Sequence, residues 1–195
     1  MPNWCFSSIN IHHDNQSQLE DFMKLLELWT SSNAMENGFG TSWLGNIVLH
    51  SGVGTIDTRT DSDLRCRGAL NALELCDGYI CLQTETAWAP MLLMWKKIVD
   101  KYLPDATIYY TAEEDNCGFF VTNDPYYVGK YVIDAYDIDD IESDWEASEE
   151  EAIKTLQKVL ETDETDITIL LEAFEESDVS DRMSIHQWEY DNEFD

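Results

Sequence analysis

Apolar and polar residues alternate along several short stretches in the first two thirds of the chain, a pattern typical of β-strands with one buried face. In residues 4–11 the alternation places Cys5, Ser7, Ile9 and Ile11 on one side of the strand. The pattern predicts further strands at residues 46–50, 79–86, 106–111, 118–122 and 126–133. An Asn-Asp-Pro sequence at residues 123–125 is expected to form the turn between the last two strands.

Two other segments show the spacing of amphipathic helices. Residues 17–29 follow Asp14 or Asn15, either of which is a candidate N-cap. Their apolar stripe consists of Leu19, Phe22, Leu26 and Trp29. A second helix is predicted from Pro90, which suits a first helical turn, to about Tyr102.

The resulting order is strand, helix, strand, strand, helix, strand, which is the split βαβ or ferredoxin-like plan. In this plan an antiparallel sheet carries two helices on one face. We therefore expect an α+β fold, with a ferredoxin-like domain in residues 1–133. Apolar residues recur at helical spacing again in the last third, around residues 145–160 and 167–174, so residues 134–195 are expected to form a mainly helical region.

Charge separates these two parts of the chain more sharply than hydrophobicity does. The 195 residues contain 40 acidic and 11 basic side chains, a net charge of −29 at neutral pH. Residues 1–133 carry 17 acidic and 8 basic residues, a net of −9, whereas residues 134–195 carry 23 and 3, a net of −20. The boundary is therefore placed between Ile133 and Asp134, where the acidic region begins.

This charge excludes several classes of function and of location. A strongly acidic protein is repelled by a phosphate backbone and by anionic membranes, so neither nucleic acid nor membrane is expected as a direct partner. The chain lacks the apolar run of a membrane span and the pattern of a signal peptide at its start, so we expect it in the cytoplasm of the host cell. Five cysteines without paired spacing indicate reduced thiols.

Three short motifs together resemble one known family. They are Met1-Pro2-Asn3-Trp4-Cys5, Gly40-Thr41-Ser42-Trp43 and Thr84-Glu85-Thr86-Ala87-Trp88-Ala89-Pro90. The chain resembles the YubB ferredoxin-like, or Api92-like, proteins of phages and plasmids over roughly residues 1–133. The resemblance implies a small α+β protein from a mobile element, without an established enzymatic activity.

No catalytic constellation is visible in the sequence. Trp4, Trp43 and Trp88 could line a ligand pocket, but aromatic residues beside strands are more often part of the core. Glu85 is a single carboxylate without an identifiable partner, which is weak evidence for acid or base catalysis. The acidic run from Asp137 has a glutamate where a calcium loop needs glycine, so an EF-hand is rejected. We expect no catalytic residue, metal ligand or cofactor, and hence no enzyme.

The acidic region is the feature that most favours a function. Carboxylates held on folded helices would repel one another unless a cationic partner compensates them. We expect an interaction protein that mimics nucleic acid and inhibits a Lys/Arg-lined DNA- or RNA-handling complex of the host, of the anti-CRISPR or anti-restriction type. The alternatives are an acidic adaptor for another basic host protein and, less favoured, a small-ligand binder or enzyme. The carboxylates expected to contact the partner are Asp137, Asp139, Asp140, Glu142, Asp144, Glu146, Glu149, Glu150, Asp163, Glu164, Asp166, Glu172, Glu175 and Glu176.

Overall fold

The structure is a computed structural model that describes residues 3–34, 39–55, 64, 66–114, 119–136 and 138–194. The α+β class expected from the sequence is confirmed, since helices and strands both occur throughout these ranges. The chain divides into two compact units, unit 1 from Met1 to Phe119 and unit 2 from Phe120 to Asp195. None of the helices in the described ranges is long and apolar enough to cross a membrane.

Unit 1 is built on an antiparallel sheet. Its strands are β1 (Trp4–His12), β2 (Gly68–Leu75), β3 (Tyr79–Ala87) and β4 (Thr107–Glu114), in the order β2-β3-β1-β4. Strand β1 therefore pairs with β3 on one side and with β4 on the other. The residues predicted to share one face of β1 are all buried, because side chains two apart on a strand point the same way.

Three helices contribute apolar stripes to the core of unit 1: α1 (Gln16–Thr30), α2 (Leu44–Ser51) and α3 (Leu92–Tyr102). In α1 the four predicted stripe residues are the buried ones. The cap is Asn15, whose side chain accepts a hydrogen bond from the backbone N–H of Gln18. Helix α3 begins two residues after Pro90, which therefore lies outside its first turn.

Residues 46–50 form part of helix α2, so the strand predicted there is wrong. Its β-branched pair, Ile47 and Val48, favours a strand locally. Burial decides for a helix, because Leu44, Ile47, Val48 and Ser51 are all buried at spacings of three and four residues. The second strand of the sheet is instead β2, which the sequence pattern did not predict.

Unit 2 has its own small sheet and two helices. Strands β6 (Tyr131–Ala135), β7 (Asp144–Ala147) and β8 (Met183–Gln187) pair antiparallel in the order β7-β6-β8. A separate parallel pairing joins Val121 and Thr122 of β5 (Phe119–Thr122) to β9 (Glu189–Tyr190). Residues 125–127 form a 3-10 helix, so the strand predicted from residue 126 begins only at Tyr131.

Helices α4 (Glu149–Leu160) and α5 (Ile167–Glu175) occupy the two segments where helices were expected. They pack with the three-stranded sheet around one apolar core. The buried members of this core are Tyr131, Ile133, Ala147, Ala152, Leu156, Leu170, Phe174, Met183 and Ile185. Because β7, β8 and β9 also lie in residues 134–195, this region is α+β and not mainly helical.

The boundary inferred from charge, between Ile133 and Asp134, lies inside strand β6. The chain instead divides into its two compact units between Phe119 and Phe120. Charge reports the composition of the surface, whereas a unit is defined by its core, and β6 supplies Tyr131 and Ile133 to the core of unit 2. Met1, Pro2, Gly118 and the predicted partner residue Asp137 lie outside the described residues.

Candidate functional site

The first turn of α4 holds three consecutive glutamates in an ordered arrangement. Ser148 and Glu151 form a capping box, in which the Ser148 hydroxyl accepts from the Glu151 N–H and the Glu151 carboxylate accepts from the Ser148 N–H at 2.8 Å. Glu149 and Glu150 lie between them and are exposed. Carboxylates in a first turn interact favourably with the helix dipole, so these two positions are compatible with a stable helix.

We expect Ser148→Ala to lower the free energy of unfolding of unit 2 by about 1 kcal/mol, because α4 loses its cap. Hydrogen bonds from Ser148 hold the pKa of Glu151 below its usual value. A lowered pKa stabilises the fold above the ordinary pKa of glutamate, and this contribution is lost as the pH falls through the lowered value. Urea unfolding of both proteins from neutral to acidic pH should therefore show a weaker acid dependence in S148A.

Glu151→Gln is the matched control for this prediction. Glutamine keeps the capping box but does not titrate. E151Q should thus be less stable than wild type at neutral pH, and the two proteins should converge in stability as the pH falls below the lowered pKa of Glu151. An S148A protein with unchanged stability and an unchanged acid response would contradict the assignment of Ser148 as the cap.

Several predicted partner residues stabilise the connection between α4 and α5 through hydrogen bonds to its backbone. The Asp166 side chain caps α5 by accepting from the N–H groups of Thr168 and Ile169. The Glu164 carboxylate accepts from the N–H groups of Thr165 and Asp166 at 2.7 and 2.9 Å, and Glu164 is half-buried. Asp163 is exposed. Of these three acidic residues, Asp163 is therefore the one whose carboxylate is best placed to meet a partner.

Glu146 on β7 is the centre of a local network. Its carboxylate accepts from the hydroxyls of Tyr126 at 2.8 Å and Tyr127 at 3.3 Å, and lies 3.9 Å from Lys130 Nζ. Burial raises the pKa of Tyr127 to about 12, with a further contribution from the Glu146 carboxylate. Asp144 accepts from the backbone N–H of Glu146 at 2.8 Å. Part of the negative charge on β7 is therefore engaged in hydrogen bonds and an ion pair within unit 2.

The C-terminal end of α5 carries charge of the unfavourable sign. Glu172 and Glu175 lie in its last turn, Glu176 is the C-cap, and all three are exposed. No basic residue occupies this last turn. A helix C-terminus carries a partial negative charge, so carboxylates there destabilise the helix. This placement is not explained by the stability of α5.

The predicted carboxylates share one property across the described part of unit 2. All thirteen that the structure describes lie at the surface, with Glu164 the one that is half-buried. Residues 134–195 contain three basic residues, of which Lys154 pairs with Glu150 at 2.6 Å and Lys158 donates to the backbone carbonyl of Asp140. The third, Arg182, is exposed. Basic side chains thus compensate few of these acidic groups.

A second candidate site lies wholly in unit 1, where residues from the three family-like motifs meet at one open cavity. The cavity has a volume of about 550 Å³. Its lining consists of Trp4, Phe39, Trp43, Cys66, Arg67, Gly68, Ala69, Glu85 and Ala87. Trp43 is nearly buried at 8% exposure, as expected for a core residue, whereas Trp4 is 42% exposed. The interpretation of Trp4 as core is therefore wrong.

Close packing fixes the walls of this cavity. The Trp43 indole N–H donates to the Cys66 carbonyl at 2.7 Å, and its ring lies so close to Gly45 that a Cβ there would be 2.4 Å from a ring carbon. A Cβ on Gly68 would lie 2.4 Å from the Glu85 carbonyl oxygen, because β2 approaches β3 closely at this point. Glycine is therefore required at both positions.

Trp88 follows the cavity residue Ala87 and has an unusual backbone. Its φ of 75° lies in the left-handed region, which a bulky side chain rarely adopts. The backbone N–H of Trp88 donates to the Asn3 carbonyl at 3.0 Å, which holds the residue in place. Trp88 is also 55% exposed, so the strain does not serve to bury the indole. Strained residues of this kind occur often at binding sites.

The sequence did not identify four residues that line the cavity, namely Phe39, Arg67, Gly68 and Ala69. Phe39 packs against Trp43 with ring centroids 5.2 Å apart. Arg67 lies one residue before β2, a strand that the sequence pattern did not predict. A hydrophobic pattern could not identify these residues, since they reach the cavity through strand pairing between distant segments.

No family model, curated protein or solved structure matches this chain. The resemblance to the YubB ferredoxin-like proteins therefore stays a prediction.

Proposed function

We propose that the protein is an interaction protein of a phage or plasmid, which mimics nucleic acid and inhibits a host complex that handles DNA or RNA. Unit 1 would be its ferredoxin-like domain. The strand order β2-β3-β1-β4, with α1 after β1 and α3 after β3, supports this assignment. The acidic surface of unit 2 would enter the Lys/Arg-lined channel of the target.

The observation that carries the proposal is the set of carboxylates at the end of α5. Glu172, Glu175 and Glu176 repel one another and the helix dipole, so their positions cost stability that a cationic partner would restore. The connection between α4 and α5 spans residues 161–166, and packed helices joined by so short a connection are typically antiparallel. That arrangement brings these carboxylates towards Glu149 and Glu150 at the start of α4.

Affinity in such a complex comes from many weak contacts. Duplex DNA presents a negative charge about every 1.7 Å along its axis, and proteins that grip it present arginine and lysine. One exposed ion pair contributes about 0.2 to 1 kcal/mol, so a tight complex also needs apolar contact. Trp145 and Ile169 are exposed in the same unit, 41% and 50% respectively, and offer that contact.

Competition with DNA tests the proposal. The full chain would be immobilised, incubated with a nuclease-treated bacterial extract and washed with duplex DNA, salt or neutral dextran. We expect nucleic-acid-binding proteins to be retained and then released by DNA and by salt, and dextran to release none. A partner that stays bound in excess DNA would contradict mimicry and favour the adaptor.

A further inference from the structure

The cavity of unit 1 has a floor of short side chains, with longer side chains around it. Trp4 faces Ala87 across the β1–β3 pair, and the Ala87 N–H donates to the Arg67 carbonyl at 2.8 Å. In the neighbouring row Ala69 faces Glu85. Side chains two apart on a strand share a face. The residues on this side of the sheet are therefore Trp4, Arg67, Ala69, Glu85 and Ala87. The two alanines are short, so a depression lies above them, and the three longer side chains surround it.

Aromatic rings form a large part of the walls. Trp43 makes a bridge to Ala69 at the edge of β2, which positions its nearly buried ring beside the depression. Trp4 stands on the other side and is 42% exposed. A cavity of about 550 Å³ with aromatic walls and few polar groups has the size and composition of a small-molecule site. Flat rings bind best to other flat rings.

The charged side chains at the cavity are Arg67, whose guanidinium donates hydrogen bonds, and Glu85, whose carboxylate accepts them. Arg67 lies one residue before β2, and its carbonyl accepts from the Ala87 N–H. It is therefore a diagonal neighbour of Glu85 on β3, a geometry that separates Cβ atoms by roughly 7 Å. Among the ion pairs of the described residues, none joins these two side chains. Glu85 has one long hydrogen bond, from the Asn71 amide at 3.4 Å. The guanidinium and the carboxylate are therefore both available to a ligand.

This combination selects the charge of the ligand. An organic cation would be attracted by Glu85 and repelled by Arg67, and a phosphorylated ligand would be repelled by the net charge of −29. An uncharged planar ring with donors and acceptors on its edge can use both side chains and stack on the exposed Trp4 indole. We propose that this cavity binds an uncharged heteroaromatic ligand of the nucleobase or nucleoside class. The proposal does not depend on unit 2, since every lining residue lies in unit 1.

The test is titration of the full chain with guanosine and adenosine, followed by calorimetry and by ligand-observed NMR. We expect saturable binding of at least one nucleoside and weaker binding of its 5′-monophosphate. Trp4→Ala should weaken binding by about tenfold, the usual effect of removing one stacking ring. Trp145→Ala is the matched control, because this tryptophan has a similar exposure of 41% but lies in unit 2. Its affinity should equal that of wild type.

Substitutions at the polar groups test the recognition of the ring edge. Glu85→Gln and Arg67→Gln should each reduce the ratio of the two nucleoside affinities while the thermal unfolding curve remains that of a folded protein. Equal effects of W4A and W145A would overturn the proposal. So would tighter binding of tetramethylammonium or of free L-tryptophan, or the lack of binding by both nucleosides at millimolar concentration.

Discussion

Replacement of Glu172, Glu175 and Glu176 together by lysine is expected to abolish most binding to the cationic partner and to make unit 2 more stable. Each reversal exchanges attraction for repulsion, and an exposed pair is worth about 0.2 to 1 kcal/mol. Three reversals should therefore weaken binding by about tenfold or more. The same lysines complement the C-terminal dipole of α5, which should raise the free energy of unfolding by about 1 kcal/mol.

The opposite signs of these two effects make the triple variant informative. A variant that loses binding because it unfolds would lose stability as well. Binding would be measured by calorimetry against the partner isolated by DNA competition, and stability by urea unfolding at the same ionic strength. The difference in affinity should shrink as salt is added, because exposed charges are screened.

Reversal of three exposed carboxylates on the helices of unit 1 is the matched control. Glu20, Glu27 and Asp100 are exposed, and their replacement by lysine changes the net charge by the same amount. This control should keep nearly all of the affinity. An equal loss in both triple variants would show that overall charge alone attracts the partner, and the proposed acidic surface on α5 would then be excluded.

The sequence predicts the fold best where tertiary contacts agree with local pattern. Strands β1 and β3 have one buried and one open face, so their alternation is clear. Strand β2 has Leu70 as its one buried residue and an irregular register between Leu70 and Ala72, so it shows no regular alternation. Its pairing with β3 determines its structure. The observed order differs from the expected one by the additional helix α2, and β2 is the second strand of unit 1 in place of residues 46–50.

The candidate sites differ in how far the sequence predicts them. Carboxylates are almost never buried, so their place at the surface follows from residue type alone. Which of them serve the fold is harder to foresee: Asp166 acts as a cap and Glu146 binds two tyrosines that lie about twenty residues earlier. The cavity of unit 1 requires the register of β1, β2 and β3, which no local pattern contains.

Leu156→Ala should abolish inhibition of the target while leaving every carboxylate in the chain. Leu156 is fully buried in the core of unit 2, where α4 and α5 pack on the three-stranded sheet. Truncation of a buried leucine to alanine costs about 2 to 5 kcal/mol. A small domain has a free energy of unfolding of about 5 to 15 kcal/mol, so unit 2 would lose a large share of its stability.

Hydrogen exchange would locate the effect of L156A, which should appear as faster exchange in α4 and α5. Val128→Ala is the matched control, since it truncates an apolar residue of unit 2 that is 59% exposed and should change stability by well under the core value. We expect V128A to retain most of the inhibition. If L156A loosens both helices and still inhibits as well as wild type, then a fixed arrangement of carboxylates is not required. The mimicry of nucleic acid would then be wrong, because a decoy must hold its charges at defined spacings to compete for a groove.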